Sequence, residues 1–433
     1  MQSTDAALDR PGEFRRGWPV VLACTVGIAL GLSPIPFYEI GLFAPAMSRE
    51  FGWGTGQIMA GVFFMMCGSM VAGPVAGLLA DRHGARRVAL VSIVCFGASV
   101  GMFSLQKGSL PLFYANWFVM AVTGAGTLPI TWTRSINEHF DLKKGLALGL
   151  ALAGTGLSGL LIKPITGAVI GTQGWRAGWL VLGSLPLLVS FPLAALCLRR
   201  RPAAQNVVPR SHAAPDVAAG LSFGEAIRDG RFWLVGVGIV PVAFAIGGPI
   251  ANLEGILRSH GVARGTIGHV VPFIGAAVIV GRLGGGWLLD RVWAPAVGFG
   301  LFTLSSAASW TLVSGPPTAA AALVGIVGLG LAAGLEFDLM SFLTARYFGA
   351  RSYGAIYGTL YAFFGLGSGI SPLVYGRAFD RTGSFAAVVG GGAAAMLLGG
   401  VLLLGLGRYR FHAADSSLGP RAADPLPREP VVS

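Results

Sequence analysis

Charge is what this sequence most lacks. Only 12% of its 433 residues are Asp, Glu, Lys or Arg, about half the share a soluble domain carries. A soluble chain of this length needs a polar coat that these residues cannot supply. From Val292 to Leu335 there is no charged side chain at all. Cysteine is scarce as well. Cys24, Cys67, Cys95 and Cys197 all fall in apolar stretches, where they read as small buried hydrophobes and not as a disulfide frame. No CxxC or HExxH spacing occurs, and the six histidines are scattered, so neither metal nor cofactor is expected. Without a nucleophile–base arrangement an enzyme is not expected either.

What is present is apolar residues, at 54%, and 67 glycines. Soluble helices avoid glycine, whereas membrane helices use small residues to pack closely. Apolar segments of spanning length recur twelve times, at 17–44, 53–80, 88–106, 111–133, 145–171, 176–197, 232–257, 265–289, 294–313, 317–344, 352–375 and 386–407. Spanning strands need only about 10 residues and alternate in polarity. These segments do neither, which predicts an all-α integral membrane protein. Arg15 and Arg16 precede a first segment long enough to span, so it reads as a helix and not as a cleaved signal.

Lys and Arg set the orientation. With both termini inside, inner loops and tails hold 22 of the 31 basic residues, outer loops seven, and Lys163 and Arg282 lie within spans. That predicts cytoplasmic termini in a cytoplasmic (inner) membrane. It also explains the net charge of +12 by short loops at the lipid surface and not by nucleic acid. The expected domains are an N-terminal tail (1–16), a six-helix half (17–198), a polar linker (199–231), a second half (232–407) and a Pro-, Ala- and Arg-rich tail (408–433) expected to be disordered. Three landmarks repeat at an offset of 209: GLLADR at Gly77 with GWLLDR at Gly286, GLALG at Gly145 with GAIYG at Gly354, and GWR at Gly174 with GSF at Gly383. Duplicated six-helix halves around a midplane site are a transporter architecture.

The loop after segment 2 reads GLLADRHGARR, Gly77 to Arg87, and a degenerate GGWLLDR follows segment 8. This resembles the loop signature of the major facilitator superfamily. FYEIGLFAPAMSREFGWGTGQI, HFDLKKGLALGLALAGTGLSG, GRLGGGWLLDR, RYFGARSYGAIYG and SPLVYGRAFDRTGSF resemble its monocarboxylate and oxalate/formate branch, over Trp18 to Phe385. The resemblance implies twelve helices and a secondary transporter, most simply a monomer, moving a small organic anion. Proton coupling is expected. An anion exchanger and an efflux pump for amphipathic solutes are the alternatives, and a membrane sensor is a remote one. A gating or structural role follows for Gly77, Asp81, Arg82, Gly84, Arg86, Arg87, Asp290 and Arg291, where ion pairs make and break at helix ends. GTGLSG (154–159) matches a dinucleotide pattern, but inside a helix it reads as close packing; GLGSG (365–369) reads the same way.

Charges inside spans are costly and mark function. Five are expected there: Glu39, Lys163, Arg282, Glu336 and Asp338. At 1.5 Å per residue, Arg282 and Glu336 lie roughly 25 and 28 Å into their helices and share a level, as do Glu39 and Lys163. This suggests one acid–base pair per half. The resemblance implies that Arg282, eight residues before Asp290, binds the solute carboxylate, a task suited to a planar guanidinium. The second cation that oxalate/formate carriers hold on helix 11 is absent, which speaks against a dicarboxylate. Lys163 is a candidate for solute binding or for a fixed pair with Glu39. Glu336 and Asp338 lie about 200° apart around a helix, so one faces the path. Glu336 is the expected proton site, with Glu39 also a candidate. Asp338 either joins it or holds Arg346 or Arg291. Phe37, Tyr38, Tyr357 and Tyr361 complete the expected lining, the tyrosines as solute hydrogen-bond donors.

Overall fold

In lipid every backbone N–H and C=O needs a partner within the chain, which leaves helices or closed barrels. The computed structural model describes residues 13–140, 144–198, 220–315, 318–349 and 351–410, and among these no strand forms. In chain order the spanning elements begin with α1, interrupted (Glu13–Ala29 and Ile35–Phe51), α2 (Thr55–His83) and α3 (Ala85–Met102). Next come α4, interrupted (Leu110–Gly124 and Pro129–His139), α5 (from Lys144–Leu152 to Lys163–Gln173) and α6 (Trp175–Leu185 and Phe191–Cys197). Then follow α7 (Gly230–Ala251 and Leu253–Ser259), α8 (Arg264–Val270 and Phe273–Leu289) and α9 (Ala294–Trp310). The last are α10 (Ala319–Phe348), α11 (Tyr353–Thr382) and α12 (Ala386–Leu404). Eight of these are long and apolar enough to cross a membrane outright. Of the other four, α1 and α4 are interrupted, α9 has 17 residues, and α11 is diluted by glycine, serine and tyrosine.

Several helices outrun their apolar segments. α1 continues to Phe51 and α11 to Thr382, each stopped by a left-handed glycine, Gly52 (φ 68°) and Gly383 (φ 70°). The apolar run marks the lipid boundary, whereas the helix ends where the backbone turns. Gly174 (φ 87°) ends α5 as Gly383 ends α11, so the offset of 209 joins equivalent helix ends.

The interruptions of α1 and α4 satisfy one another. Pro34 and Pro36 break the hydrogen-bond ladder and restart the helix. Leu32 N–H, freed by the break, donates to Thr127 Oγ1 (3.0 Å) in the break of α4. α5 carries a π-helical turn at Ser158–Ile162, directly before Lys163, a feature often found at functional sites.

Buried apolar residues collect in separate cores. Two comprise residues 20–198 apart from Ala251, and one comprises residues 226–406 apart from Tyr38. Glycines bring the two regions together. A Cβ on Gly275 of α8 would collide with the carbonyl of Gly156 on α5, and one on Gly376 of α11 would press on Gly56 of α2. The side of the bundle where α1 begins and α12 ends is the termini end, and the opposite side is the far end. At the far end Asp380 of α11 accepts hydrogen bonds from Thr55 N (2.8 Å) and Gly56 N (2.7 Å), the first residues of α2. Its carboxylate thus meets the positive end of a helix.

At the termini end the residues before α7 are not all irregular. A short helix, Phe223–Arg228, opens on a capping box in which Ser222 and Glu225 exchange hydrogen bonds. Those bonds from Ser222 hold the Glu225 carboxyl below the usual range. Leu221 N donates to Phe348 O (2.8 Å), and Asp229 pairs with Arg410 at 3.0 Å, so this segment is tied to the region of residues 226–406. The expected tail residues 411–433 lie outside the described residues.

Candidate functional site

A cavity opens between the two regions. Its walls come from α1, α2, α4, α5, α7, α8, α10 and α11. The apolar side is formed by Phe37, Met65, Met66, Phe337 and Phe364. Polar groups reach it from Tyr38, Arg282, Glu336 and Tyr361, with hydroxyls from Ser69 and Ser368.

Arg282 sits on α8 with 7% of its side chain exposed. Its Nη1 lies 3.7 Å from Asp338 Oδ1, a loose ion pair, and its Nε has no hydrogen-bond partner among the described residues. A buried guanidinium carries five donors that need acceptors, so this one is under-satisfied. Glu336 is buried on the cavity wall, and its Oε2 also lacks a partner among the described residues. Arg282 is the cation acting on both Glu336 and Asp338. Asp338 is off the cavity wall and 25% exposed.

The expected pairing of Asp338 with Arg346 or Arg291 does not occur. Arg346 lies over the rings of Phe342 (5.0 Å) and Tyr409 (5.5 Å), and Arg291 lies over Trp287 (4.1 Å) and donates to its carbonyl. Helical side chains lean toward the helix N-terminus, which carries the Asp338 carboxylate away from Arg346 and back toward Arg282.

Lys163 is a second correction. Its Nζ does not pair with Glu39 but lies 2.6 Å from Glu254 Oε1 on α7, and it donates to Tyr38 O at 2.6 Å. Glu39 is fully buried, with neither carboxylate oxygen hydrogen-bonded among the described residues. Lys163, Thr166 and Glu254 are the groups acting on it. Glu254 is absent from the five charges expected inside spans. It lies three residues from the end of the expected seventh segment, where an acid passes for an interface residue. The signal that would have found it is its position inside those bounds.

Tyr38 and Tyr361 line the cavity, and Tyr361 stacks on Phe337 at 6.0 Å. Tyr357 does not line it. It stacks flat on Tyr353, one turn nearer the termini end (centroids 5.7 Å, 7° between planes), and Tyr353 donates to Ser341 Oγ at 3.1 Å. In the loop motif, Gly84 (φ 86°) ends α2 and its N–H caps Ala80 O. Arg86 donates to Ala195 O of α6 at 2.9 Å, so it ties elements of the same region. Gly77 lies within α2, and Arg82 and Arg87 are exposed, as is Asp290 beside Arg291. The side chain of Asp81 lies outside the described residues. At the far end, hydrogen bonds from Arg176 and then Trp175 hold the exposed Glu50 carboxyl below the usual range.

No group of three or more His, Cys, Asp or Glu arranged to hold a metal occurs among the described residues.

Comparison with known proteins follows the same lines. The family model of the Major Facilitator Superfamily matches residues 21–372. Human monocarboxylate transporter 11 is 28% identical over 414 residues, covering 90% of this chain and 83% of that protein. Rat monocarboxylate transporter 1 is 27% identical over 176 residues, covering 40% of this chain and 34% of that protein. Among solved structures, a bacterial homologue of the human lysosomal transporter Spinster, inward-facing and unoccupied, superposes with a TM-score of 0.65. It is 16% identical and covers 92% of this chain and 96% of its own.

Proposed function

The chain belongs to the major facilitator superfamily, and from that premise we propose that it moves a small monocarboxylate by alternating access, with a proton. The observation that carries this reading is Arg282: buried on the cavity wall, held only by a 3.7 Å contact, and with Nε unpartnered among the described residues. A solute carboxylate meets that need with a bidentate grip. Phe37, Met65, Phe337 and Phe364 on the same cavity offer an apolar surface for the body of the solute. One cation on the wall suits one carboxylate, and the relatives named for monocarboxylates support the same solute class.

Coupling follows from the charge balance. When a solute carboxylate occupies Arg282, Glu336 loses the cation that acts on it and faces the cavity unpaired. An unpaired buried carboxylate is too costly to keep, so it takes a proton. The termini end is then cytoplasmic, as the basic loops require. Residues 17–198 and 232–407 rock as two bodies about the cavity.

The test is solute counterflow in proteoliposomes, with short and aromatic monocarboxylates offered separately. Wild-type protein should exchange them and Arg282→Ala should not. Glu336→Gln should exchange but fail to accumulate solute against its gradient when a pH difference is imposed. Exchange that survives in Arg282→Ala refutes the binding role, and accumulation that survives in Glu336→Gln refutes the coupling role.

A further inference from the structure

Lys163, Glu39 and Glu254 sit outside the solute cavity, and the function proposed for Arg282 and Glu336 does not use them. Glu39 (0% exposed) comes from α1, Lys163 (3%) from α5 and Glu254 (2%) from α7. The first two belong to one half and the third to the other. Contact between the halves is intimate here: a Cβ on Gly41 of α1 would run into Glu254 Oε2. The groups facing the cluster are few. α1 adds the carbonyl of Tyr38, and α5 adds Thr166, whose hydroxyl is already committed to Ile162 O (3.0 Å). α7 adds Arg258, one turn beyond Glu254. Arg258 acts on Glu254 but also faces Arg264 and Arg49 and is exposed, so water screens most of its charge. Asp380 of α11 is occupied at the start of α2.

Three fully ionised groups would leave two carboxylates sharing one ammonium in a dry interface, with a net charge of −1. A buried charge without a partner is not sustained. Closing the site therefore requires one proton. When the far ends part, Lys163 leaves Glu254, water reaches both acids, and the proton is no longer required. We propose that Glu39, Glu254 and Lys163 form a proton-binding latch between the halves, which takes one proton from the far-side solution when the far ends close and returns it when they open.

This inference rests on the reading that the halves part at the far end, but not on the identity of the solute. The sign of the linkage is fixed by where the proton is held. The closed state binds it and the open state does not, so closure is favoured at low pH and lost as pH rises through the midpoint of the closed site. With one proton linked, the closed-to-open ratio falls about tenfold per pH unit between the midpoint of the open acids and that of the closed site, and levels off above the latter.

The experiment uses full-length protein in nanodiscs with the four native cysteines replaced and spin labels introduced by Q173C, at the end of α5, and A263C, at the start of α8. Pulsed dipolar distances are recorded from pH 5 to 9. Wild type should show a short and a long distance, with the long one growing as pH rises. Glu39→Gln leaves Glu254 with Lys163, a neutral pair across the halves, and should hold the short distance at every pH; Glu254→Gln leaves Glu39 with Lys163 inside one half and should show a ratio that does not change with pH. Glu336→Gln should keep the wild-type pH response. A wild-type ratio that ignores pH yet shifts with saturating solute overturns the latch and leaves alternating access standing. A pH response that persists in both Glu39→Gln and Glu254→Gln overturns the assignment to these residues. A single distance under every condition, with and without solute, overturns the latch together with the parting of the halves.

Discussion

Arg282, Glu336 and Asp338 all belong to the second half and meet beside an open cavity, whereas Lys163, Glu39 and Glu254 are divided between halves and sealed away from it. Each cluster holds one cation and two carboxylates. In the first the ion pair is loose at 3.7 Å and the guanidinium has donors to spare; in the second the pair is tight at 2.6 Å. A cation with spare donors beside a cavity is suited to receiving a ligand. A cation clamped between two bodies is suited to reporting whether those bodies touch. The residue types differ accordingly: the fork of Arg282 grips a planar carboxylate, and the point charge of Lys163 bridges a carboxylate and a carbonyl.

The comparison yields predictions of graded size. The largest effect is expected from Lys163→Met, which strands two acids in the interface. Losing one partner of a buried pair costs about 3–5 kcal/mol, so a clear fall in melting temperature should appear in detergent, and adding Glu254→Gln and Glu39→Gln should recover most of it. A melting temperature unchanged in Lys163→Met would mean that water already screens the cluster. Next, Arg282→Ala should weaken carboxylate binding by about 2–5 kcal/mol while leaving the melting temperature of solute-free protein nearly unchanged, as calorimetric titration and thermal shift together would show. A reversed pattern, stable binding with lost stability, would make Arg282 structural and erase the contrast. A smaller effect is expected from Asp380→Asn, which removes a charge from the start of α2. The far-end closed population should fall by about two- to tenfold, the size of a helix-end charge interaction, read by the same distance labels. The smallest is Tyr361→Phe, which deletes one cavity hydroxyl and should weaken binding by about 0.5–1.5 kcal/mol without altering the pH response of the latch.

Much of this architecture is legible in the sequence because lipid imposes a harsh rule. A run of apolar residues long enough to span must be helical, and a charge inside one needs a reason, so Arg282 stands out within its span and Glu336 after the uncharged run from Val292 to Leu335. The helix break at Ala125–Leu128 is not legible, and the one at Leu30–Pro34 is marked by Pro34 and Pro36 only as a place where the ladder can stop. They lie inside apolar runs, and they hold only because Thr127 is present to receive the N–H of Leu32. The partner of Lys163 is hidden for a related reason. Depth along a helix shows which charges share a level, and Glu39 does lie near, but pairing across two halves depends on how they dock. Gly41 lets Glu254 approach, and the position of Glu254 inside the seventh segment marks it as a buried charge but not as the partner of Lys163. Tyr357 misleads in the opposite way. Tyr353, Tyr357 and Tyr361 recur every four residues and form one stripe, yet only the last of the three reaches the cavity, because the stripe climbs the helix as it goes.

The central claim is that Arg282 receives a carboxylate in a cavity whose apolar residues take the body of the solute. Equilibrium binding of matched acid and amide pairs to purified protein, phenylacetate against phenylacetamide for example, tests it most directly. The account predicts that the acid binds and the amide does not, and that Arg282→Ala abolishes the difference. Equal binding of acid and amide, unchanged by Arg282→Ala, would contradict it.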